Sequence, residues 1–521
     1  MIATSRTLSL TPVTTGHVRC LVRHWGTPLA LVLLVVVALV LRLRSLESAG
    51  ILDIDEARLT LAAQGFAAHG WPVFPTGKVY TRGLLQSLLM APSVALLAPI
   101  ELAARLPSMV ASVALVVVVY LYGRQVAGLG AGLFAAALVA TSVPLINQSH
   151  EAWFYSIFTL CWMVALLLLD RAVSTGSVRA LLAAATAVGL TFLTHEFAIA
   201  LLPGLGLGLL YWRAGCQPLR ERLRPLVAAA LPAGLGLAVL TACSLTLRAD
   251  TAGGTMSEIT GLLRFRPELL VPRMYAAAFL PGWTAGLLGP AVLSAGLLAP
   301  RPLRRRLLLA VLPAATLFVL TSFFLAQRES RYGLPLLPTG YLLAGIGLVQ
   351  LQQALRRARH GRWAAAAVVP LAVGVLVTLS VPSGLFTSPP ARRPPEGTWL
   401  TRLYEAGYRP GDLILTNNPT VTQLYLGRTD FWLRTVEYAK YVRADRHRLR
   451  DIHTNAVLLS RPEQLSKLLL VPYRGRTAWV IAWKASYHWE TLLNRKLRTA
   501  LEARATQRLD AGTWTVYRLP L

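Results

Sequence analysis

Three carboxylates lie within four residues in the segment Leu52–Arg58, directly after a long apolar run. They are Asp53, Asp55 and Glu56, and the segment ends at Arg58. Carboxylates beside a membrane cost free energy unless they are solvated or used in chemistry. One of them can act as a general base that takes a proton from a hydroxyl group. The alternative is structural, because acidic residues also stabilise a helix N-terminus.

Basic residues follow in two short segments. The first is Lys78-Val79-Tyr80-Thr81-Arg82-Gly83, and the second is Ala104-Arg105-Leu106-Pro107-Ser108. Lysine and arginine side chains at the level of the lipid headgroups often snorkel, which places the charged end of the side chain in water without any binding role. Arginine also holds a phosphate in a bidentate fork. Both interpretations of Lys78 and Arg82 stay open, and Arg105 can equally mark the membrane boundary.

Two histidine–glutamate pairs occupy later turns. His150-Glu151 precedes an aromatic segment, and His195-Glu196 follows Thr194 in a short turn. Such a pair can act as an acid and base or bind an acceptor. The alternatives are an interfacial turn with an aromatic belt for the first pair, and a buried packing histidine for the second.

A third basic segment, Arg328-Glu329-Ser330-Arg331-Tyr332, follows a later apolar run. Two arginines and a tyrosine suit a phosphate group. A structural ion pair with Glu329 is the alternative.

The composition indicates that membrane helices position these residues. Of 521 residues, 55% are hydrophobic and 15% are charged, and the mean hydropathy is +0.52. Soluble domains have about 25% charged residues. Disordered chains are polar, and a soluble domain needs more polar surface than this chain offers. The composition therefore excludes both classes and indicates a polytopic membrane protein.

The chain is strongly basic, with 52 Lys+Arg against 24 Asp+Glu. No nucleic-acid-binding module is recognised, so we expect no nucleic-acid partner and interpret the basic residues through membrane orientation. The four cysteines have no CxxC spacing, which argues against a zinc site.

Eleven apolar stretches approach the roughly 20 residues that a spanning helix needs. With approximate ends they are 26–43, 106–122, 130–146, 155–169, 180–194, 197–212, 226–247, 281–299, 307–325, 333–351 and 364–382. The first is interpreted as an anchor, because Leu29–Leu41 is uninterrupted, with a cleaved signal peptide as the alternative. The stretch 84–99 is short and contains two prolines, so we predict an interfacial or re-entrant helix there.

This arrangement collects 18 basic and two acidic residues on one side of the membrane. The positive-inside rule makes that side, and with it the N-terminus, cytoplasmic. The opposite side holds 11 of the 13 acids before residue 383 and all the segments described above. We expect a bacterial inner membrane with the candidate chemistry on its outer face.

The chain changes character after residue 382. We predict a membrane domain over 1–382, a proline-rich linker over 383–396 and an outer α/β domain over 397–521. In the outer domain the pattern predicts strands at 412–416, 478–483 and 514–519 and helices at 397–407, 461–470 and 489–505.

The order of the motifs resembles the protein O-mannosyltransferase and aminoarabinose-transferase family, which are integral membrane glycosyltransferases of the GT-C fold. The resemblance covers roughly residues 50–350, and the first outer loop, 46–105, is its most specific part. It rests on Asp55-Glu56-x-Arg58, Tyr80-x-Arg82-Gly83, Ala104–Ser108, Tyr122-Gly123-Arg124, Ser149–Ala152 and Arg331-Tyr332-x-x-Pro335-x-x-Pro338. It implies a polytopic α-helical GT-C domain followed by the soluble α/β domain.

The resemblance also implies a reaction. A polyprenyl-phosphate monosaccharide would donate its sugar, with inversion, to a hydroxyl of a lipid, glycan or protein acceptor on the outer face. Asp55 would be the base, and Glu56 and Glu151 would orient the base or acceptor. Phosphate or loop contacts would come from Arg58, Lys78, Tyr80, Arg82, Arg105, Arg328, Arg331 and Tyr332. Acceptor or sugar contacts would come from Asp53, His150, His195 and Glu196.

The sequence departs from the family pattern at two places. Trp153 stands where many relatives carry arginine, and Thr81-Arg82-Gly83-Leu84 replaces the Glu-Lys-Pro-Pro of the aminoarabinose transferases. The acceptor therefore stays open. No cofactor is firmly implied and no metal site is predicted, although Asp53, Asp55 and Glu56 are a conceivable set of divalent-metal ligands.

Two rival hypotheses remain. A transporter or flippase of a lipid-linked sugar predicts ionisable groups near the membrane midplane. A membrane scaffold that displays the outer domain leaves the carboxylates of 53–58 unexplained.

Overall fold

A computed structural model of the protein describes residues 14–44, 53–211, 282–324, 329–357, 397–435, 442–445, 448–484 and 493–521, together with isolated positions between these ranges. The predicted span 364–382, the linker 383–396 and Arg328 lie outside the described residues, as does nearly all of the predicted span 226–247.

The first part of the chain is helical. Its α-helices are α1 (Thr14–Leu43), α2 (Ile54–His69), α3 (Leu84–Leu96), α4 (Ile100–Ala127), α5 (Leu129–Thr141), α6 (Val143–Ser149), α7 (Tyr155–Thr175), α8 (Val178–Phe192), α9 (Leu202–Tyr211), α10 (Gly282–Leu298), α11 (Arg301–Val319) and α12 (Leu336–Arg357). Short 3₁₀ turns cover Glu196–Leu201 and Ser330–Gly333, and a π turn, Leu320–Phe324, extends α11. Helices thus occupy the nine predicted spans that the structure describes.

Three of these helices are long and apolar enough to cross a membrane alone: Ile100–Ala127, Tyr155–Thr175 and Arg301–Phe324. The other described spans are shorter or bent, so the total of eleven stays a prediction. Helix α3 has 13 residues. At 1.5 Å per residue it is about 20 Å long, short of the roughly 30 Å hydrocarbon core. Its length therefore agrees with the predicted non-spanning helix.

The predicted span 130–146 is bent, because the chain turns by 57° between α5 and α6, and whether the pair forms one span stays a prediction. Ser142 adopts an extended conformation at the break, and Pro144 lies in the first turn of α6. Proline has no backbone N–H group to donate. The N–H groups in the first turn of a helix have no acceptor within the helix, so proline fits there.

Arg42 of α1 satisfies the backbone groups that this break leaves unpaired. Its guanidinium donates to the Ala140 oxygen at 3.0 Å, the Val139 oxygen at 3.1 Å and the Ser112 hydroxyl at 2.7 Å. The side chain is fully buried. A buried arginine therefore caps a broken helix and joins α1 to α4 and α5.

The last part of the chain is an α/β domain. Its elements are α13 (Gly397–Glu405), β1 (Leu413–Thr416), α14 (Pro419–Leu426), β2 (Phe431–Leu433), β3 (Val442–Asp445), β4 (Arg448–Asp451), β5 (Val457–Leu459), α15 (Pro462–Leu465), β6 (Thr477–Trp483), α16 (Arg495–Arg504), β7 (Gln507–Ala511) and β8 (Trp514–Pro520). The sheet has the order β3-β4-β5-β2-β1-β6-β8-β7. The central strands β5, β2, β1 and β6 are parallel. The three predicted strands are confirmed as β1, β6 and β8.

The sheet domain packs directly on the first outer loop. The Tyr425 hydroxyl of α14 accepts from the Ile51 backbone nitrogen at 3.0 Å and donates to Glu101 at 2.7 Å. The Thr76 hydroxyl donates to the Ile452 oxygen at 2.7 Å. These hydrogen bonds join residues more than 320 positions apart and fix the loop against the domain.

We expect Arg42→Met to lower the melting temperature of the purified protein in detergent by several degrees. The substitution leaves buried carbonyls of α5 without donors, and each such group costs about 1–3 kcal/mol. Val40→Met, on an exposed position of the same helix, is the control. Equal melting temperatures for the two variants would contradict the capping role of Arg42.

Candidate active site on the outer face

The three carboxylates of the first loop have different surroundings. Asp53 caps α2, because its side chain accepts from the Asp55 backbone nitrogen at 2.7 Å. Asp55 lies in the first turn, is 33% exposed and contacts Arg58 at 3.1 Å. Glu56 is buried. Asp53 thus has a structural role as the cap of α2. Asp55 is the more accessible carboxylate of the first turn.

Glu56 and Arg105 form a buried ion pair, with 3.7 Å between the carboxylate oxygen and the guanidinium nitrogen. Glu56 also accepts from the Ala152 backbone nitrogen at 2.5 Å. Arg105 donates to the Leu46 and Gly50 oxygens, both at 2.9 Å. Arg105 is expected to contact either a phosphate or the first outer loop. This geometry favours contact with the loop. Glu56 helps to hold the same loop through its ion pair with Arg105.

Two carboxylates of the outer face, Asp53 and Glu151, have raised pKa values. Burial raises the pKa of Asp53 to about 6, and repulsion from Asp55 adds to the shift. Burial likewise raises the pKa of Glu151 to about 7, and repulsion from Glu56 adds to it. The positive charge of Arg331 lowers the pKa of both carboxylates. The first loop, the turn before α7 and the turn before α12 therefore meet at one site.

Arg331 stacks on an aromatic side chain. Its guanidinium carbon lies 3.6 Å from the centre of the Trp153 ring and 5.9 Å from that of Tyr155. Its ion pair with Glu329 is long, at 3.7 Å. The stack on Trp153 is consequently the main contact that orients Arg331.

His195 is the centre of an aromatic cluster. Its ring centroid lies 4.3–6.2 Å from those of Phe154, Tyr155, Phe158, Phe197 and Tyr332. Burial lowers its pKa to about 4, so the ring is neutral near pH 7. Its Nδ1 accepts from the Phe197 backbone nitrogen at 3.1 Å. These contacts match the packing alternative for His195, whereas its neighbour Glu196 is 54% exposed.

Arg82 borders the same aromatic cluster. Its guanidinium carbon lies 5.7 Å from the centre of the Phe154 ring. Removal from water would lower the pKa of Arg82, but Glu196 and Asp55, among other groups, raise it above its ordinary value. Arg82 and Arg331 thus flank one cluster, although about 250 residues separate them.

Gly83 makes this approach possible. It begins α3 with φ of +64°, a conformation that costs little only for glycine. A Cβ atom there would lie 2.5 Å from a ring carbon of Phe154. The glycine of the Tyr80-x-Arg82-Gly83 motif therefore lets α3 start against the aromatic cluster.

The remaining predicted residues hold the loop or the helices. His150 Nε2 lies 2.8 Å from the Arg42 oxygen, and burial lowers its pKa. Tyr80 is buried and packs on Phe74 with 5.1 Å between ring centres. The Lys78 oxygen accepts from the Phe74 backbone nitrogen, so Lys78 lies in the turn that contacts the sheet domain.

No local pattern in the sequence points to Arg42 or to the residues of the sheet domain that contact the first loop. His453 lies with its ring 4.8 Å from that of Phe74, and Tyr425 bonds to the loop. No spacing signal connects residues so far apart along the chain. Among the described residues no cluster of three or more histidine, cysteine, aspartate or glutamate side chains is arranged to hold a metal ion.

Comparisons with known proteins agree with this architecture. The family model described as dolichyl-phosphate-mannose-protein mannosyltransferase matches residues 82–241. A search of curated proteins gave no match.

Solved structures extend the likeness to most of the chain. ArnT from Cupriavidus metallidurans, bound to undecaprenyl phosphate, aligns with a TM-score of 0.60 and 16% identity over 94% of this chain and 97% of that one. The oligosaccharyltransferase AglB from Archaeoglobus fulgidus, in complex with an inhibitory peptide and a dolichol-phosphate, aligns with a TM-score of 0.51 and 11% identity over 95% and 74%. The arabinofuranosyltransferase AftD from Mycobacteria aligns with a TM-score of 0.53 and 16% identity over 94% and 40%.

These likenesses establish the fold. The chain is an integral membrane protein with the GT-C glycosyltransferase fold and a C-terminal sheet domain, as the order of its motifs predicted.

We expect Glu151 to contribute a loss of thermal stability as the pH rises from about 4.5 to about 7. The comparison with Glu151→Gln isolates this contribution, because His195, whose pKa is lowered to about 4, contributes with the opposite sign over the same window. Glu151 ionises near 4.5 in the unfolded chain and near 7 in the folded chain, so ionisation favours unfolding across this window. Glu151→Gln should lose less stability over the same range and melt a few degrees above wild type at pH 8. Its amide can keep the contact that Gln148 now makes at 3.0 Å.

Melting curves in detergent between pH 4 and 8 check this expectation. Glu405→Gln, on the exposed surface of α13, is the control. Parallel curves for wild type and Glu151→Gln would show that Glu151 does not carry the raised pKa.

Proposed function

We propose that the protein is a membrane glycosyltransferase that moves a monosaccharide from a polyprenyl phosphate to an acceptor hydroxyl on the outer face, with inversion. One observation carries the proposal: Arg82 and Arg331 flank the same aromatic cluster beside the carboxylates of the first loop. The N-terminus lies in the cytoplasm and the sheet domain lies outside the cell membrane.

The two arginines hold the donor phosphate. Arginine neutralises phosphate charge and orients it through paired N–H groups. A neutralised lipid phosphate leaves without a general acid, because its developing charge is already stabilised. ArnT was crystallised with undecaprenyl phosphate and AglB was solved with a dolichol-phosphate, which supports a donor of this class.

Asp55 is the base. A single displacement with inversion needs one carboxylate opposite the leaving group, within hydrogen-bond reach of the acceptor hydroxyl. Asp55 is exposed enough to meet an acceptor, and Arg58 fixes its orientation at 3.1 Å. Asp53 and Glu151, with raised pKa values, carry protons at mildly acidic pH and so add little negative charge beside an anionic donor.

Lipid transport is less well supported. It predicts ionisable groups free to titrate within the spans. Asp170, a buried carboxylate at the end of α7 just beyond the predicted span 155–169, accepts from the Arg306 guanidinium at 2.8 Å and from Gln125 at 2.5 Å. These contacts join α4, α7 and α11 and favour a structural role.

Asp55→Asn is expected to reduce transfer from a radiolabelled polyprenyl-phosphate sugar by at least about 100-fold, since general-base catalysis contributes about 10²–10⁴-fold. Binding of the donor should change little. Asp53→Asn is the matched comparison, because asparagine caps a helix as well as aspartate does. It should retain measurable transfer. If Asp53→Asn abolished transfer while Asp55→Asn retained it, Asp53 and not Asp55 would be the base.

Arg331→Gln is expected to weaken the binding of undecaprenyl phosphate by about 10–100-fold. A hydrogen bond to a charged group contributes about 1.5–3 kcal/mol, and 1.4 kcal/mol corresponds to tenfold. Titration of the detergent-solubilised protein measures the affinity. Arg305→Gln, exposed near the start of α11 and far from the outer face, is the control. Unchanged affinity in Arg331→Gln would remove this residue from the donor site.

A further inference from the structure

A buried polar cluster joins three membrane helices at their ends opposite the candidate active site. Asp170 of α7 is fully buried and accepts from the Arg306 guanidinium of α11 at 2.8 Å. The same guanidinium donates to the backbone oxygen of Gln125 in α4 at 3.1 Å. Helices α4 and α7 begin beside the candidate site, where Arg105 and Tyr155 lie, so the cluster is at their far ends.

Each of the three members of this cluster has an exposed arginine next to it in the chain. These neighbours are Arg124, Arg171 and Arg305. Successive Cα atoms are only about 3.8 Å apart. The hydrogen bonds of the cluster therefore bring together the three backbone segments that carry the exposed arginines. One small region of the surface thus receives an arginine from each of three helices.

Two of these arginines lie on helix faces that also expose apolar side chains. On α4, Leu121 is 41% exposed and lies three residues before Arg124. On α11, Leu308 is 44% exposed and lies three residues after Arg305. Residues three apart share a face of a helix. In both helices the leucine lies deeper in the membrane than the arginine, which places the arginines at the boundary between acyl chains and headgroups.

Protein carboxylates do not balance these charges. Asp170 is the one acid among the described residues on this side, and its charge is neutralised by Arg306. In the described part of the chain no acidic side chain pairs with the three exposed arginines. Glu221, the second acid that the sequence places on this side, lies outside the described residues. Its own segment has four basic residues, which are Arg213, Arg220, Arg222 and Arg224.

We propose that Arg124, Arg171 and Arg305 form a binding surface for an anionic phospholipid in the membrane leaflet opposite the candidate active site. Arginine binds a lipid phosphate through paired N–H groups. Phosphatidylcholine and phosphatidylglycerol share this phosphate diester, but only phosphatidylcholine carries an ammonium group that offsets its charge. Three cations without a carboxylate partner therefore favour phosphatidylglycerol.

The position of the surface gives the lipid a role in the assembly of the membrane domain. A headgroup shared by the three arginines would join α4, α7 and α11 from outside, next to the buried cluster that joins them from inside. A ligand that binds only the folded chain raises its stability. The surface is independent of the reaction proposed for the outer face, because none of its residues lies there.

Titration of phosphatidylglycerol into the full-length protein in a neutral detergent tests this surface, with phosphatidylcholine as the reference lipid. Native mass spectrometry measures the bound lipid. We expect wild type to bind phosphatidylglycerol at least about tenfold more tightly than phosphatidylcholine. The double variant Arg124→Gln/Arg305→Gln should weaken phosphatidylglycerol binding by about 10–50-fold, the effect expected for two arginines at a membrane surface.

Arg356→Gln/Arg357→Gln is the matched control, because it removes two exposed arginines from the end of α12 on the same side of the membrane. Its affinity should change less than about threefold. Arg171→Gln alone should weaken binding by about fivefold and checks the third helix separately. Each replaced side chain is exposed, so without lipid all variants should melt as wild type does.

Four results would overturn the surface. Equal affinity of wild type for the two lipids would show that the arginines do not select an anionic headgroup. Equal loss of binding in the two double variants would assign the effect to total charge. Displacement by inorganic phosphate would assign the arginines to a soluble anion. Displacement by undecaprenyl phosphate, at the concentration that saturates the donor site, would assign them to the donor lipid.

Discussion

The buried pair of Glu56 and Arg105 is the interaction on which the outer face depends. Two charges removed from water cost several kcal/mol each, and only good partners offset that cost. Here the partners come from four segments: α2, α4, the Leu46–Gly50 stretch and the turn at Ala152. The pair fixes the start of α2 relative to the membrane helices, and the position of Asp55 one residue earlier follows from it.

Buried arginine recurs as a structural device in this protein. Arg42 caps the broken helix α5 through backbone carbonyls, and Arg105 binds the carbonyls of Leu46 and Gly50. A planar guanidinium with five donors satisfies several acceptors at once, which lysine does less well. The chain has 47 arginines and five lysines. At both places an arginine near the membrane boundary therefore holds backbone carbonyls.

The sheet domain contacts the first outer loop, which carries the candidate site. Its contacts at Tyr425, Ile452 and His453 hold the first loop against the sheet domain.

The sequence by itself determined the membrane class, the positions of the described helices, the three main strands and the motif order that indicates the GT-C fold. These rest on local hydropathy and residue type. Only the tertiary structure decided that α5 breaks at Ser142, that Glu56 and Arg105 are buried partners, and that Arg82 and Arg331 share one aromatic cluster. Glu56 and Arg105 are 49 positions apart and Arg82 and Arg331 are 249 positions apart, and no local pattern in the sequence encodes the distances between them.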